Sequence, residues 1–290
     1  MGSQELPLRQ AVALGAIQGP AELLPISSSG HLAIIPRLLG WDYARLDPEL
    51  RKSFEVAVHA GTALALLVGL RGEVAEYARG FGPRNAITLA LSFTPTALIA
   101  YRYERVIEQR LGEPVPVALG LIGGSIAMLL ADGRPQRRGR TEATAVDALV
   151  IGAAQAFALA PGVSRNGATL TAARWRGFKR ADANVISRQI ALPVIVGASI
   201  LKGFRLARRR PSGDMVAGMA AGTAAAFAST LASMRLISTL ERSRSLRPYA
   251  LYRLGLAAVA LAGAGRQLAT TQAQASKQAV EDMSTAGAIQ

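Results

Sequence analysis

Two segments of this chain, 137 residues apart, repeat one pattern. Each begins with a Gly-Ala-x-Gln tetrad and runs through a proline into a hydroxyl-rich loop that closes on a glycine; the segments are residues 15–31 and 152–167. The first carries Glu22 and His31, and the second carries Arg165. A duplicated apolar segment with a polar loop indicates a binding site at the interface of two repeats inside a membrane.

Long uncharged runs set the class of protein. Four stretches contain no Asp, Glu, Lys or Arg: 85–101, 114–131, 148–164 and 215–234. A helix needs about 20 mostly apolar residues to cross a bilayer, and half of this chain is hydrophobic, with a mean hydropathy of +0.26. We therefore predict an all-α integral membrane protein, in which shorter uncharged runs form further spans or re-entrant segments.

The formal net charge of +14 does not indicate a nucleic-acid partner. The arginines stand in short clusters between apolar runs, at 134–140, 174–180, 205–210 and 242–247. That distribution is typical of loops that touch anionic lipid headgroups. The chain has no cysteine, so it has neither disulfides nor a thiolate metal site.

The chain reads as one polytopic membrane domain, residues 1–266, followed by a polar, disordered tail at 267–290. A turn-rich loop beginning at Asp132 separates two repeat halves, about 8–131 and 146–266. Each half has a motif hairpin followed by about three spans, predicted near 54–70, 84–101, 115–131, 185–203, 214–236 and 249–265. An odd number of crossings per half predicts an inverted repeat whose two re-entrant helical hairpins meet near the midplane.

The two loops carry groups suited to phosphoryl transfer. A glutamate in mid-membrane costs about 2.5–3.5 kcal/mol on insertion scales, so Glu22 needs a partner, either a divalent cation or Arg165. Both loops open a helix, whose free N–H groups favour a bound phosphate. The planar fork of Arg165 matches phosphate oxygens. Ser28 and His31 share a helix face, which allows a hydroxyl nucleophile with an imidazole base or acid.

These motifs closely resemble those of the undecaprenyl-diphosphate phosphatase family, also called the bacitracin-resistance family. The matching segments are 18–31 and 161–169, then 54–56, 61–62, a turn at 191–193, and 252–253. The resemblance covers about residues 8–266. It implies hydrolysis of undecaprenyl diphosphate to the monophosphate plus phosphate, which recycles the lipid carrier for cell-wall peptidoglycan synthesis and gives resistance to bacitracin. It also implies a divalent cation, Mg or Ca, and a multi-pass protein of the bacterial plasma membrane with an outward-facing active site.

The resemblance also assigns residues. It implies four catalytic residues: Glu22, Ser28, His31 and Arg165. The residues expected to contact substrate are Ser27, Ser29, Gly30, Ser164, Asn166 and Thr169. Glu22 and Gln18 are the expected metal ligands, with Gln18 standing where many members have a second glutamate. Asn166 replaces the usual serine, and Arg188 enters a stretch that is usually apolar, where it either faces the cavity and contacts the diphosphate or lies in another register.

Other interpretations stay open at this stage. A polyprenyl-phosphate flippase or transporter is the main alternative, because inverted repeats with broken helices are transporter architecture. A structural assembly protein is less favoured, since buried polar groups are costly in a membrane. His59 is interpreted equally as packing or as a substrate-side contact. The expected partners are a polyprenyl diphosphate and membrane lipids but no nucleic acid, and a homodimer is allowed.

Overall fold

The protein is built from helices of widely different lengths. The computed structural model describes residues 6–208, 213–242 and 245–266, so the predicted tail at 267–290 lies outside the described residues. The helices are α1 (Leu8–Leu23), α2 (Ser28–Leu38), α3 (Pro48–Gly69), α4 (Arg71–Arg79), α5 (Pro83–Arg110), α6 (Pro114–Asp132), α7 (Ala145–Phe157), α8 (Arg165–Trp175), α9 (Arg180–Arg208), α10 (Gly213–Ala232), α11 (Arg235–Arg242) and α12 (247–266).

Every predicted span falls on a helix, and the two motif segments form the helix pairs α1–α2 and α7–α8. Within the described ranges, α6, residues 180–200 of α9, and α10 are long and apolar enough to cross a membrane. The α3–α4 pair makes a fourth if its 75° bend is counted within one span. The other two predicted spans lie on α5 and α12, which are not among the candidate spans found in the described ranges. These apolar helices fit an integral membrane protein, as predicted.

The turn predicted at 191–193 is wrong. Helix α9 continues through Pro193. Proline removes one backbone donor from a helix, but in membrane helices neighbouring groups compensate for the freed carbonyl.

Each motif helix packs against a helix from the other half of the chain: α1 lies along α10, and α7 lies along α5. A Cβ atom added to Gly15 would collide with the carbonyl oxygen of Gly222, and one added to Gly152 would collide with that of Ser92. The glycine that opens each tetrad is therefore required for backbone-to-backbone packing. This crossed packing brings the loop after α1 and the loop after α7 together.

Candidate functional site

Both loops end in the same backbone device. Ser27 and Ser164 have positive φ angles of 73° and 70°, which is unusual for residues with a side chain. Each serine Oγ accepts a hydrogen bond from a glycine N–H three residues later, from Gly30 at 3.2 Å and from Gly167 at 3.1 Å. These caps start α2 and α8 where the sequence predicted them to start.

The two loops are joined through Glu22 and Arg165. A guanidinium nitrogen of Arg165 donates to Glu22 Oε1 in an ion pair between the two halves. Next to it, Asn166 Nδ2 donates to the backbone carbonyl of Leu23 at 3.0 Å. The Glu22 side chain is 7% exposed and that of Arg165 is 19% exposed. Of the two partners predicted for Glu22, Arg165 is the one that contacts it in this structure.

Glu22 also accepts hydrogen bonds from residues in the first half of the chain. Ser28 Oγ donates to Glu22 Oε2 at 2.5 Å, and Gln18 Nε2 donates to the same oxygen at 3.2 Å. His59 Nε2 lies 3.4 Å from it. Gln18 and Glu22 face the same side because they are four apart on α1. His59, for which the sequence left two interpretations open, therefore belongs to the site.

His31 is held apart from Ser28. Its Nδ1 lies 2.7 Å from the carbonyl oxygen of Ser27, and its Nε2 lies 2.7 Å from the Tyr252 hydroxyl. A carbonyl oxygen only accepts, so Nδ1 carries the proton, and a neutral ring then accepts at Nε2 from Tyr252. Since the Ser28 hydroxyl points at Glu22, the expected direct contact between Ser28 and His31 is not formed.

Thr169 takes a place that the resemblance did not imply. Its side chain is fully buried and lies 2.6 Å from Ser187 Oγ on α9. Ser187 in turn donates to Asn166 Oδ1 at 3.1 Å. In this conformation Thr169 packs behind Asn166, and its expected contact with substrate stays a prediction.

A buried arginine that the sequence analysis gave no role holds the loops in place. Arg253 on α12 donates to the carbonyl oxygens of Gly162 at 3.1 Å, Val163 at 2.8 Å and Pro25 at 3.4 Å. It therefore contacts both loops at once. An arginine in an otherwise apolar run was the available signal, because such a residue is costly unless carbonyls or acids satisfy it.

Two cavities approach the paired loops from opposite ends of α3. The first is a cleft of about 540 Å³, including its open part, lined by Glu22, Arg165 and Arg188. Arg188 lines this cleft and pairs there with Glu73 at 3.0 Å, and its expected contact with the diphosphate stays a prediction. The second cavity is lined by Ser29 and by residues near the start of α3 and the end of α5.

The donor set for a divalent cation is small. No group of three or more His, Cys, Asp or Glu residues that could hold a metal occurs in the described part of the chain. Glu22 supplies a carboxylate, and Gln18 Oε1 is buried without a hydrogen-bond partner. Mg²⁺ is commonly bound by one or two protein carboxylates together with substrate phosphates and waters. Two oxygens on one helix face fit a cation held mainly by a diphosphate.

The sequence is similar to those of known proteins. The profile described as bacitracin resistance protein BacA matches residues 11–259. A protein of Geobacter sulfurreducens named undecaprenyl-diphosphatase is 37% identical over 263 residues, covering 86% of this chain and 95% of the relative. Proteins of the same name from Trichlorobacter lovleyi and Chromohalobacter salexigens are 35% and 37% identical, covering 90% and 86% of this chain and 99% and 96% of their own length.

Proposed function

The chain belongs to the bacitracin resistance protein BacA family, and from this we propose that it hydrolyses undecaprenyl diphosphate to undecaprenyl monophosphate and inorganic phosphate. The observation that carries the proposal is the contact set of Glu22. This carboxylate pairs with Arg165 across the two loops and accepts the Ser28 hydroxyl at 2.5 Å. The hydroxyl that can act as nucleophile, the carboxylate that can accept its proton and the guanidinium that can bind phosphate thus lie next to one another. The names of the relatives support a phosphatase and do not favour a flippase.

Ser28 is the nucleophile in this proposal. Its Oγ attacks the terminal phosphorus, its proton passes to Glu22, and the bond from that phosphorus to the bridging oxygen breaks. Undecaprenyl monophosphate leaves. Water then attacks the phosphoserine, its proton ends on the departing phosphate, and Glu22 returns the proton to Ser28 Oγ.

Arg165 and the loop N–H groups bind the transferred phosphoryl group. A charge-assisted bond from a guanidinium is about twice as strong as a neutral one. The first turns of α2 and α8 add N–H donors at their positive ends. The resulting expected phosphate contacts are Ser27, Ser29, Gly30, Ser164 and Asn166. His31 does not contact Ser28; in this proposal its bonds to Tyr252 and to the Ser27 carbonyl orient the start of α2, where Ser28 lies.

A divalent cation, Mg or Ca, completes the proposed site. Glu22 and Gln18 Oε1 would hold it together with diphosphate oxygens, and when bound it neutralises phosphate charge. Gln18 is suited to this because its Nε2 already orients Glu22, leaving Oε1 for the ion.

The proposed setting is the bacterial plasma membrane, in an inverted repeat with two re-entrant hairpins. The crossed packing of α1 on α10 and α7 on α5 supports the repeat. With both termini outside and the loop at 132–145 inside, the cavity that reaches Ser29 opens outward. The monophosphate product then re-enters carrier recycling for peptidoglycan synthesis.

The proposed orientation can be tested by thiol labelling. Because the native chain lacks cysteine, Ser29→Cys should react with an impermeant thiol reagent in intact cells and Gln136→Cys only after permeabilisation. The reverse pattern would invert the orientation.

The activity is tested with purified protein in lipid nanodiscs. Undecaprenyl diphosphate should yield equal amounts of monophosphate and inorganic phosphate, and excess chelator should stop the reaction. Full turnover in chelator would contradict the metal proposal, whereas no turnover by folded protein would contradict the function itself.

A further inference from the structure

One face of α9 lines the cleft that contains Glu22 and Arg165. The lining positions Asn184, Ser187, Arg188 and Ala191 follow the spacing of a single helix face. Ser187 fixes this face against the second loop through its bond to Asn166. The polar positions at 184 and 188 are thus one turn apart and open into the space beside the proposed phosphate site.

Asn184 carries a donor that protein atoms do not satisfy. The residue is 3% exposed, and its Nδ2 has no hydrogen-bond partner among the described residues. A buried donor without a partner is unfavourable, because it has lost its hydrogen bonds to water and gained none. A ligand oxygen in the cleft would remove that cost.

Arg188 brings a cation to the same place. Its Nη2 lies 3.0 and 3.3 Å from the two carboxylate oxygens of Glu73, and both side chains are partly exposed, at 20% and 28%. Partly exposed ion pairs contribute little to stability. A multiply charged phosphate can therefore compete with Glu73 for this guanidinium.

We infer that Asn184 and Arg188 form a second phosphate subsite, which binds the lipid-linked phosphate while Arg165 binds the terminal one. The inference rests on the proposed function. Leu192 and Ile195 continue the lining of the cleft along the same helix with apolar side chains. A prenyl chain attached to the phosphate at 184–188 would extend over Leu192 and Ile195. Helix α9 would then contact both the headgroup and the first part of the lipid chain.

The test is binding, so that it does not depend on turnover. The probe is the non-hydrolysable methylene-diphosphonate analogue of farnesyl diphosphate, titrated against purified protein in nanodiscs. Arg188→Gln should raise its Kd about tenfold or more, the loss expected for one charge-assisted hydrogen bond of about 1.5–3 kcal/mol. Asn184→Ala should raise it by a smaller factor.

Glu73→Gln separates this subsite from a purely structural ion pair. It removes the competing carboxylate and leaves Arg188, so Kd should stay the same or fall. Arg79→Gln, on the same helix as Glu73 but away from the cleft, controls for net charge and should leave Kd unchanged. Equal weakening by Arg188→Gln and Glu73→Gln, or unchanged binding in Arg188→Gln, would overturn the inference. Because binding of the probe requires no hydrolysis, a wild-type protein that binds the probe but releases no phosphate from undecaprenyl diphosphate would refute only the proposed activity.

Discussion

Ser27 and Ser164 hold nearly the same left-handed φ, 73° and 70°, on the two sides of the site, and each caps the helix that follows it. A residue with a Cβ held in a sparsely populated region costs about 1–3 kcal/mol. The protein carries that cost twice, once in each loop. As a result, two helix N-termini are held at fixed positions beside Glu22 and Arg165.

This strain makes Ser164→Gly less harmful to stability than Ser164→Ala. Alanine loses the cap, at about 0.5–2 kcal/mol, and keeps the strain. Glycine loses the same oxygen but adopts a positive φ without penalty. Thermal unfolding in detergent should therefore place the melting temperature of the glycine variant above that of the alanine variant, with the same order at Ser27. The opposite order at both positions would show that the serines are unstrained.

Gln18→Glu should make the protein bind a divalent cation more tightly. The substitution replaces the amide that donates to Glu22 at 3.2 Å by a second carboxylate. The two carboxylates repel each other unless a cation lies between them. Activity should be kept with Mg²⁺ in excess, and because a second carboxylate strengthens binding of the cation, a higher chelator concentration should be needed to stop the variant than to stop wild type. Loss of activity at every Mg²⁺ concentration, with the fold intact, would exclude position 18 as an ion ligand.

Asp147, in the first turn of α7 and outside the candidate spans, ties the loop at 132–145 to the helix. It accepts from Arg138 at 2.9 and 2.6 Å and from Arg176 at 2.6 Å. Burial alone would raise the pKa of Asp147, but these hydrogen bonds and those from Thr144 lower it well below its ordinary value. The stabilisation is therefore present above the unfolded pKa of about 4 and is lost as pH falls toward the lower folded value.

Asp147→Asn should consequently lower stability at pH 7 by about 2 kcal/mol. This is less than the 3–5 kcal/mol for breaking a fully buried pair, because both arginines stay partly exposed. Melting temperatures measured from pH 7 down to pH 3 should differ by a constant amount to about pH 4, and the difference between the variant and wild type should narrow below that pH. A constant difference across that range would mean that the charge of Asp147 is not what stabilises the loop.

Local sequence signals predicted much of this arrangement, and tertiary contacts decided the rest. The helix starts after Ser27 and Ser164 and the pairing of Glu22 were predictable, because caps and intramembrane charges follow local rules. The separation of His31 from Ser28 was not, since it depends on Tyr252, more than 200 residues away. The burial of Thr169 likewise depends on how α9 packs against α8.

Arg165→Lys should be severely impaired although the charge is kept. A lysine ammonium is a point charge and cannot hold Glu22 and a phosphoryl oxygen in one planar fork. We expect kcat/KM to fall about 100-fold, corresponding to about 2.7 kcal/mol of lost transition-state stabilisation. Thermal unfolding of the same preparation serves as the control for folding. A variant within threefold of wild type would remove Arg165 from the proposed phosphoryl contacts.

The central claim is that the diphosphate is cleaved at its terminal phosphorus and that Glu22 accepts the proton of the nucleophile. The most direct test is hydrolysis of undecaprenyl diphosphate in water enriched in the heavy oxygen isotope, with both products analysed by mass spectrometry. Wild type should place one heavy oxygen in inorganic phosphate and none in the lipid monophosphate. The rate of Glu22→Gln should be about one hundredth of the wild-type rate or lower, as expected for loss of a general base. Heavy oxygen in the lipid monophosphate, or an unchanged rate in Glu22→Gln, would contradict the account.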